Sequence, residues 1–209
     1  MAETAQQTLA RRYDKAASGW GDKMRALGYR DAYLGFLASA LPRPAAGREV
    51  LDIGCGSGAF AEAWAAIHGD AARISLLDPS SGMLDRAETA LDHRGLRTRT
   101  IRTTLEQFAG DVAFDHLLAA HVIEHCADPG DALARMRALA APGGRLWLVA
   151  SKPHWCNAIV WLQWRHRTFL DNEVAALLES AGWVLEETYA FPSGPPSRTS
   201  RGYLARARD

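Results

Sequence analysis

The sequence predicts a single α/β domain in which helices cover both faces of a mostly parallel, doubly wound sheet. From residue 50 to residue 150, short apolar segments alternate with helical segments, an order typical of parallel sheets. A glycine-rich loop follows the first apolar segment, and an aspartate ends the second. No helix is predicted between the last two apolar segments, so we expect those two strands to pair antiparallel.

The predicted elements follow one another in a regular order along the chain. Strands are predicted at residues 50–53, 74–77, 97–103, 116–120, 145–150, 183–190 and 201–206. Helices are predicted at residues 59–67, 81–93, 130–139 and 171–181, after two helical segments within residues 4–40.

Several of these predicted elements have recognisable ends. Ser80 or Ser81 is suited to cap the second core helix, predicted at residues 81–93. Gly182 is suited to end the helix predicted at residues 171–181. A turn is predicted at residues 142–144 and a loop at residues 192–196, because both segments are rich in proline and glycine. These signals fix where the sheet strands begin.

Composition narrows the classes of protein that remain. The 209 residues suffice for one domain with a sizeable core, and 48% hydrophobic and 23% charged residues are ordinary for a globular chain. A formal net charge of zero argues against nonspecific binding to nucleic acid. Three cysteines without a Cys-x-x-Cys pair, no apolar leader and no membrane-length apolar run lead us to expect a cytoplasmic protein.

The glycine loop joins the first predicted strand to the first core helix. Residues 52–58 read Asp-Ile-Gly-Cys-Gly-Ser-Gly. Glycines at positions 54, 56 and 58 permit positive φ angles and allow a ligand to lie against the backbone. The helix that follows presents free N–H groups, and ligands of open α/β sheets bind at the carboxyl ends of the strands. The loop therefore predicts a ligand site.

Asp78 specifies the kind of ligand. A carboxylate at the end of the second strand can accept both hydroxyls of a ribose, so the loop and Asp78 together predict a nucleoside site. Gly54, Gly56 and Ala59 also satisfy the Gly-x-Gly-x-x-(Gly/Ala) pattern of dinucleotide-binding proteins. On these residues alone, NAD and S-adenosylmethionine both remain open.

Three further motifs separate the two ligands. Asp52 precedes the first glycine by two residues, residues 114–125 carry the fourth strand into His-Val-Ile-Glu-His, and Pro-Gly-Gly at 142–144 precedes the fifth strand. This set resembles the class I S-adenosylmethionine-dependent methyltransferases, especially the group of ubiquinone and menaquinone biosynthesis methyltransferases, from about Tyr13 to the C-terminus. The resemblance implies a Rossmann-like, seven-stranded sheet with one antiparallel strand, and S-adenosylmethionine as the cofactor.

The same resemblance implies roles for particular residues. The Asp52 loop would border the methionine part of the cofactor, Asp78 the ribose, Met83 the adenine face, and the Leu105 backbone the adenine edge. Relatives often carry an acid just after the third strand, where this sequence has Thr104 with Glu106 nearby. The predicted cofactor-binding residues are Tyr13, Asp52, Gly54, Cys55, Gly56, Gly58, Asp78, Pro79, Met83, Thr104, Leu105 and His121.

His121 is the predicted catalytic residue. The resemblance places it at the end of the fourth strand, near the sulfonium and the substrate. A hydroxyl or ammonium nucleophile must lose a proton during methyl transfer, and histidine titrates near neutral pH; packing beside the cofactor is the alternative role. Glu124 and His125 are predicted to begin the next helix. Metal-binding quinone relatives carry a glutamate at the position of His121, and the sequence leaves open whether His121, Glu124 and His125 hold a metal.

The segment after the fifth strand is predicted to contact the substrate. It contains three tryptophans within residues 155–164, and tryptophan combines a large apolar face with a polar N–H group. A small aromatic or lipophilic substrate would suit this segment; packing on the domain's own core and contact with a membrane surface are the alternatives. The predicted substrate-binding residues are Trp20, His154, Trp155, Trp161 and Trp164.

The single domain is expected to have three parts: an N-terminal helical cap (1–44), a cofactor-binding core (45–151), and a substrate-side insertion with a C-terminal hairpin (152–209). The predicted function is S-adenosylmethionine-dependent methylation of a small molecule by in-line transfer. Two other functions remain open at this point. One is an NAD-dependent oxidoreductase, although no Tyr-x-x-x-Lys pair is present; the other is a noncatalytic nucleoside-binding protein.

Overall fold

A computed structural model describes residues 19, 24–39, 48–69, 72–110, 112–154 and 167–208. The described strands form one seven-stranded sheet in the order β3-β2-β1-β4-β5-β7-β6. The strands are β1 (Glu49–Ile53), β2 (Arg73–Leu77), β3 (Thr98–Ile101), β4 (Phe114–Ala120), β5 (Ala140–Ser151), β6 (Trp183–Tyr189) and β7 (Ser200–Ala207).

Helices pack on both faces of this sheet. They are α1 (Tyr29–Ser39), α2 (Ala59–His68), α3 (Ser81–Asp92), α4 (Pro129–Leu139), α5 (Asp171–Ser180) and α6 (Gly194–Thr199). Side chains of α1, α2 and α3 contribute to the core on one face, and side chains of α4 and α5 contribute to the core on the other. The predicted doubly wound fold is therefore confirmed.

Strand directions also agree with the sequence-based expectation. Strands β3, β2, β1, β4 and β5 are mutually parallel, whereas β7 is antiparallel to both of its neighbours, β5 and β6. Because β1 pairs with β2 on one side and with β4 on the other, the chain changes direction across the sheet between β1 and β4. This switch point is where open α/β sheets bind their ligands.

The turn predicted at residues 142–144 is part of a longer strand. Strand β5 begins at Ala140, and its register with β4 shifts so that Phe114 pairs with Ala140 and His116 pairs with Arg145. Residues 141–144 therefore form a bulge opposite Asp115. Gly143 has a φ of 68°, and a Cβ on Gly144 would lie 2.9 Å from two backbone oxygens. The glycines bend the chain as predicted, but within a paired strand.

The linker between β6 and β7 contains a helix that the sequence did not predict. Helix α6 has six residues and carries prolines in its first turn, where a missing N–H costs no hydrogen bond. Prolines in a sequence usually indicate a loop, so the sequence gives no sign of this helix. Six residues are too few for a parallel crossover, so β7 still pairs antiparallel.

Glu124 and His125 do not begin the following helix, contrary to prediction. They lie in a single 3-10 turn (Ile123–His125). Helix α4 begins at Pro129, where the Asp128 carboxylate accepts the backbone N–H groups of Gly130 and Asp131. Both Glu124 and Asp128 carry a carboxylate that can accept N–H groups at the start of a helix, and Asp128 is the residue that caps α4.

Glu62 fixes the N-terminal helical segment to the sheet domain. This glutamate of α2 is 4% exposed, and its carboxylate lies 3.2 Å from Arg94, 3.5 Å from Arg30 and 3.6 Å from Arg25. Two of these arginines belong to the segment around α1, and one follows α3. A buried carboxylate with several cationic partners holds elements together because removing it would leave the charges uncompensated.

A histidine–tryptophan cluster lies within the α2 face of the core. The ring centroid of Trp64 is 4.0 Å from that of His68 and 4.6 Å from that of His116, and the Trp147 Nε1–H donates to His116 Nδ1 at 3.3 Å. Burial lowers the pKa of His116 to about 3, with Arg48 adding to the effect, and lowers the pKa of His68 to about 4. Both imidazoles are therefore neutral near pH 7.

These lowered pKa values predict that His116 weakens the fold in acid. The unfolded chain binds a proton at His116 from about pH 6.5 downward, whereas the folded chain resists it until about pH 3. The raised pKa of Asp52 acts in the opposite direction over part of this range, so the contribution of His116 is isolated by substitution. We expect the unfolding free energy of His116→Asn to rise relative to wild type by about 3 kcal/mol between pH 7 and pH 4.

Urea denaturation at a series of pH values measures this difference. Asparagine retains an acceptor for the Trp147 N–H but does not titrate. The exposed His93, changed to asparagine, is the matched control and should show no such trend. A pH-independent difference between His116→Asn and wild type would contradict the prediction.

Candidate active site

The predicted site residues meet where β1 and β4 end. The glycine loop follows β1, Asp78 follows β2, Thr104 lies just beyond β3 and His121 follows β4. Since these parallel strands are neighbours, their carboxyl ends form one edge of the sheet. The structure thus brings together residues that are up to about 70 positions apart in the chain.

The glycine loop depends on its glycines for conformation and for space. Gly54, Gly56 and Gly58 have φ angles of 60°, 52° and 84°. A Cβ on Gly54 would lie 2.8 Å from Val122, and a Cβ on Gly58 would lie 3.0 Å from Ala87. At Gly56, in contrast, no described residue other than its two chain neighbours has an atom within 4 Å of the Cβ position. A ligand can approach the backbone there.

Asp78 connects the glycine loop to the start of α3. Its Oδ2 accepts the Gly56 N–H at 3.0 Å, and its Oδ1 accepts the Ser80 N–H at 2.9 Å. Ser80 in turn caps α3 by accepting the Met83 N–H at 3.2 Å, so Ser80, of the two serines considered, is the cap. The carboxylate is therefore held at the edge of the sheet between loop and helix.

Asp52 supports the loop from beneath. Its side chain is buried, and Oδ2 accepts the Ala61 N–H in the first turn of α2 at 3.1 Å. Burial, opposed by the Ala61 hydrogen bond and assisted by the nearby Asp78, raises the pKa of Asp52 to about 8. Burial also raises the pKa of the Cys55 thiol, so the thiol is neutral at physiological pH.

The segment just beyond β3 contains Thr104, whose side-chain hydroxyl is a candidate ligand contact. Thr104 Oγ1 is buried and has no hydrogen-bond partner among the described residues. Buried hydroxyls are normally hydrogen bonded. Leu105 beside it and Met83 of α3 are buried, and Pro79 is half-buried. The set combines apolar surface with one unused hydroxyl, a combination that suits a purine.

His121 is held by both its backbone and its ring. Among the described residues, His121 is the one residue other than glycine with a positive φ, which is 58°. Its backbone N–H donates to the backbone carbonyl of Val149 at 2.8 Å. Nδ1 lies 3.1 Å from Glu124 Oε1 and 3.0 Å from Ser151 Oγ, and Nε2 lies 3.4 Å from Ser200 Oγ. Every nitrogen of the ring thus faces a polar neighbour.

The sequence did not reveal the neighbours of His121. Glu124 was considered as a capping or packing residue, but its side chain is fully buried against His121 and the Ser151 N–H. Tyr29 of α1 packs edge-on against the His121 ring at 5.6 Å, and its hydroxyl lies 3.0 Å from Thr199 Oγ1. In the sequence, the one signal for the contact with Glu124 is its position three residues after a histidine that ends a strand. Nothing in the sequence indicates the contacts of His121 with Tyr29 and Ser200.

A metal site at His121, Glu124 and His125 finds no support in the geometry. Among the residues that the structure describes, no group of three or more histidine, cysteine, aspartate or glutamate side chains is arranged to hold a metal. Glu124 Oε1 is instead used by the backbone of β5. Burial lowers the pKa of His125.

Most of the predicted substrate-binding residues lie outside the described residues. These are Trp20, Trp155, Trp161 and Trp164, together with the predicted cofactor-binding residue Tyr13. His154 is described and half-buried, three residues beyond β5. No described helix is both long and apolar enough to span a bilayer.

Comparisons with known proteins add independent evidence. Residues 51–146 match the methyltransferase domain family Methyltransf_12. A ubiquinone biosynthesis O-methyltransferase of Methylocella silvestris is 36% identical over 107 residues, covering 51% of this chain and 41% of that protein. The corresponding enzyme of Dinoroseobacter shibae is 33% identical over 157 residues, covering 68% of this chain and 62% of that protein.

Solved structures share the fold at lower identity. The 1,6-didemethyltoxoflavin-N1-methyltransferase of Burkholderia thailandensis, solved with S-adenosylhomocysteine, is 20% identical with a TM-score of 0.77, covering 100% of this chain and 93% of that one. The N-methyltransferase NodS of Bradyrhizobium japonicum, also with S-adenosylhomocysteine, is 21% identical with a TM-score of 0.68, covering 86% and 87%.

Residues 51–146 are similar to a methyltransferase domain family, and the sheet order and the glycine loop agree with the class I S-adenosylmethionine-dependent methyltransferases. Within that class it resembles the ubiquinone biosynthesis O-methyltransferases, which confirms the predicted resemblance. The chain covers less than two thirds of the length of these relatives.

Proposed function

We propose that this protein transfers the methyl group of S-adenosylmethionine to a hydroxyl of a small aromatic or lipophilic molecule, with His121 as the base. The observation that carries this proposal is the shared edge at which the glycine loop, Asp78 and His121 meet. The relatives with the highest identity named above are O-methyltransferases of ubiquinone biosynthesis, which favours a hydroxyl acceptor.

The residues at this edge fit the cofactor. Gly56 leaves its backbone open to a ligand, Asp78 presents a carboxylate suited to ribose hydroxyls, and Thr104 Oγ1 is a buried polar atom in need of a partner. Met83 and Leu105 supply apolar surface for the adenine. We infer that these residues, with Asp52 supporting the loop, hold S-adenosylmethionine.

The chemistry divides between cofactor and protein. S-adenosylmethionine supplies a methyl group that is already activated as a sulfonium. The protein must hold the acceptor oxygen in line with that methyl group, and such positioning can supply about 7–11 kcal/mol of the barrier. His121, fixed at the end of β4 and facing the start of β7, would take the hydroxyl proton.

The acceptor would lie between His121 and the residues that follow β5. We infer that the tryptophans at 155, 161 and 164, which lie outside the described residues, belong to the substrate-binding part of the chain, because tryptophan suits an aromatic or lipophilic substrate. A small molecule is therefore the proposed partner.

Calorimetry with S-adenosylmethionine, S-adenosylhomocysteine and NAD tests this function. We expect the first two to bind and NAD to show no binding, because the matched domain and the relatives named above are methyltransferases. Methyl transfer to a panel of catechols and alkyl phenols, followed by mass spectrometry, then identifies the acceptor class. Binding of NAD alone would refute the proposal and favour an oxidoreductase; no binding by any of the three would favour a noncatalytic protein.

A further inference from the structure

We propose that Glu124 is a positioning residue that holds His121 in the tautomer with its hydrogen on Nδ1, so that Nε2 is the proton acceptor for the substrate hydroxyl. The contact between Glu124 Oε1 and His121 Nδ1 at 3.1 Å carries this inference. It rests on the proposed function, which assigns His121 the role of base.

The orientation of Glu124 is set by the sheet. Its side chain is fully buried, and Oε1 accepts the backbone N–H of Ser151 at 2.7 Å. An oxygen that receives this N–H acts as an acceptor in that contact. The inference includes an ionised Glu124, and an ionised carboxylate has no hydrogen to donate. His121 Nδ1 must therefore supply the hydrogen in its contact with Glu124.

Ser151 offers the competing arrangement. Its Oγ lies 3.0 Å from His121 Nδ1, and a hydroxyl can donate as well as accept. If Ser151 donated to Nδ1, the ring hydrogen would sit on Nε2 and point towards Ser200 Oγ. That arrangement would place the Nδ1 lone pair against a buried carboxylate oxygen, which is costly where water cannot intervene. A hydrogen on Nδ1, shared between Glu124 and Ser151, satisfies both neighbours.

Three further contacts keep the ring from leaving this arrangement. The His121 N–H donates to Val149 O at 2.8 Å on the neighbouring strand. Glu124 follows three residues later in a 3-10 turn, and the Tyr29 ring packs edge-on at 5.6 Å. Nε2 consequently faces Ser200 at the start of β7, at a distance of 3.4 Å that is long for a hydrogen bond. A substrate hydroxyl can replace this weak contact.

The proton balance of the step follows from this tautomer. The substrate O–H hydrogen moves to Nε2, and the electron pair of that bond stays on oxygen, which bonds to the methyl carbon. The bond between that carbon and sulfur breaks with its electrons going to sulfur, so the sulfonium becomes a neutral thioether. His121 becomes an imidazolium whose Nδ1–H faces Glu124, and it later returns its proton to water.

Nitrogen NMR of histidine-labelled protein tests the tautomer without turnover. Long-range ¹H–¹⁵N spectra distinguish the two neutral tautomers, and the His121 signals are assigned by their loss in His121→Asn. We expect hydrogen on Nδ1 in wild type and in Ser151→Ala, which removes the competing hydroxyl but keeps the Ser151 N–H. Hydrogen on Nε2 in wild type, or a change of tautomer in Ser151→Ala, would overturn the inference.

Kinetics of Glu124→Gln test the charge. Glutamine keeps an acceptor for the Ser151 and His121 N–H groups but lacks the negative charge that faces the imidazolium. We expect kcat to fall about 10- to 100-fold, a part of the roughly 10²–10⁴ that a general base supplies, with KM and S-adenosylhomocysteine affinity within twofold of wild type. An unchanged kcat would overturn the inference, whereas a wild-type protein that binds no S-adenosylhomocysteine would refute the proposed function instead.

Discussion

Asp78→Ala is expected to weaken S-adenosylhomocysteine binding roughly 10²- to 10⁴-fold. A hydrogen bond to a charged group contributes about 1.5–3 kcal/mol, two ribose hydroxyls would use two of them, and each 1.4 kcal/mol is tenfold in affinity. The substitution also releases the Gly56 and Ser80 N–H groups that the carboxylate now holds. Calorimetric titration of the purified variant measures the loss.

Asp85→Ala is the matched control for this experiment. Asp85 lies on α3 only seven residues away, but its side chain is exposed. It should bind S-adenosylhomocysteine like wild type. Equal affinities for Asp78→Ala and wild type would mean that the ribose does not lie at Asp78, and the cofactor placement would have to be abandoned.

His121→Asn is expected to lower kcat about 10²- to 10⁴-fold, the range that a positioned acid or base supplies. Asparagine is chosen because it tolerates a positive φ better than other side chains, and residue 121 has a φ of 58°. The affinity for S-adenosylhomocysteine should stay within a few-fold, since the loss concerns the proton and not the nucleoside. Steady-state kinetics with the acceptor found in the panel, together with calorimetry, separate these effects.

The exposed His93, changed to asparagine, controls for the loss of a histidine elsewhere. A His121→Asn variant with wild-type kcat would show that the ring only packs beside the cofactor. The role of Glu124 in positioning a base would fail with it. A variant that loses cofactor binding and turnover together would instead indicate that His121 supports the glycine loop.

Local signals predicted most of the fold. Ser80 accepts the Met83 N–H as expected of a cap, and the antiparallel pairing of β6 with β7 followed from the short linker between them. Two of the errors arose from proline and glycine. The 141–144 bulge and α6 use these residues inside paired or helical segments, which only the register with neighbouring strands determines.

The placement of the candidate-site residues was predictable where it depends on the order of the strands along the chain, and unpredictable where it depends on contacts across the sheet. The glycine loop, Asp78 and His121 each end a strand and were identified from the sequence. Ser151 and Ser200 contact His121 across 30 and 79 residues of sequence, and no pattern encodes such a distance. The buried Glu124 side chain accepts the Ser151 N–H at the end of β5. Its contact with His121 therefore depends on the assembled sheet and cannot be inferred from the sequence alone.

The position of β7 has a consequence for the order in which the protein forms during synthesis. Strand β6 is translated before β7, yet β7 is the strand that joins it to β5. On the ribosome, β6 must therefore wait until residues 190–207 have emerged, while the edge of β5 stays unpaired. Because β7 also brings Ser200 to His121, a nascent chain that stalls within this stretch would carry the glycine loop and Asp78 of the proposed cofactor site before the surroundings of His121 are complete. Such a chain could sequester cofactor before it can use it.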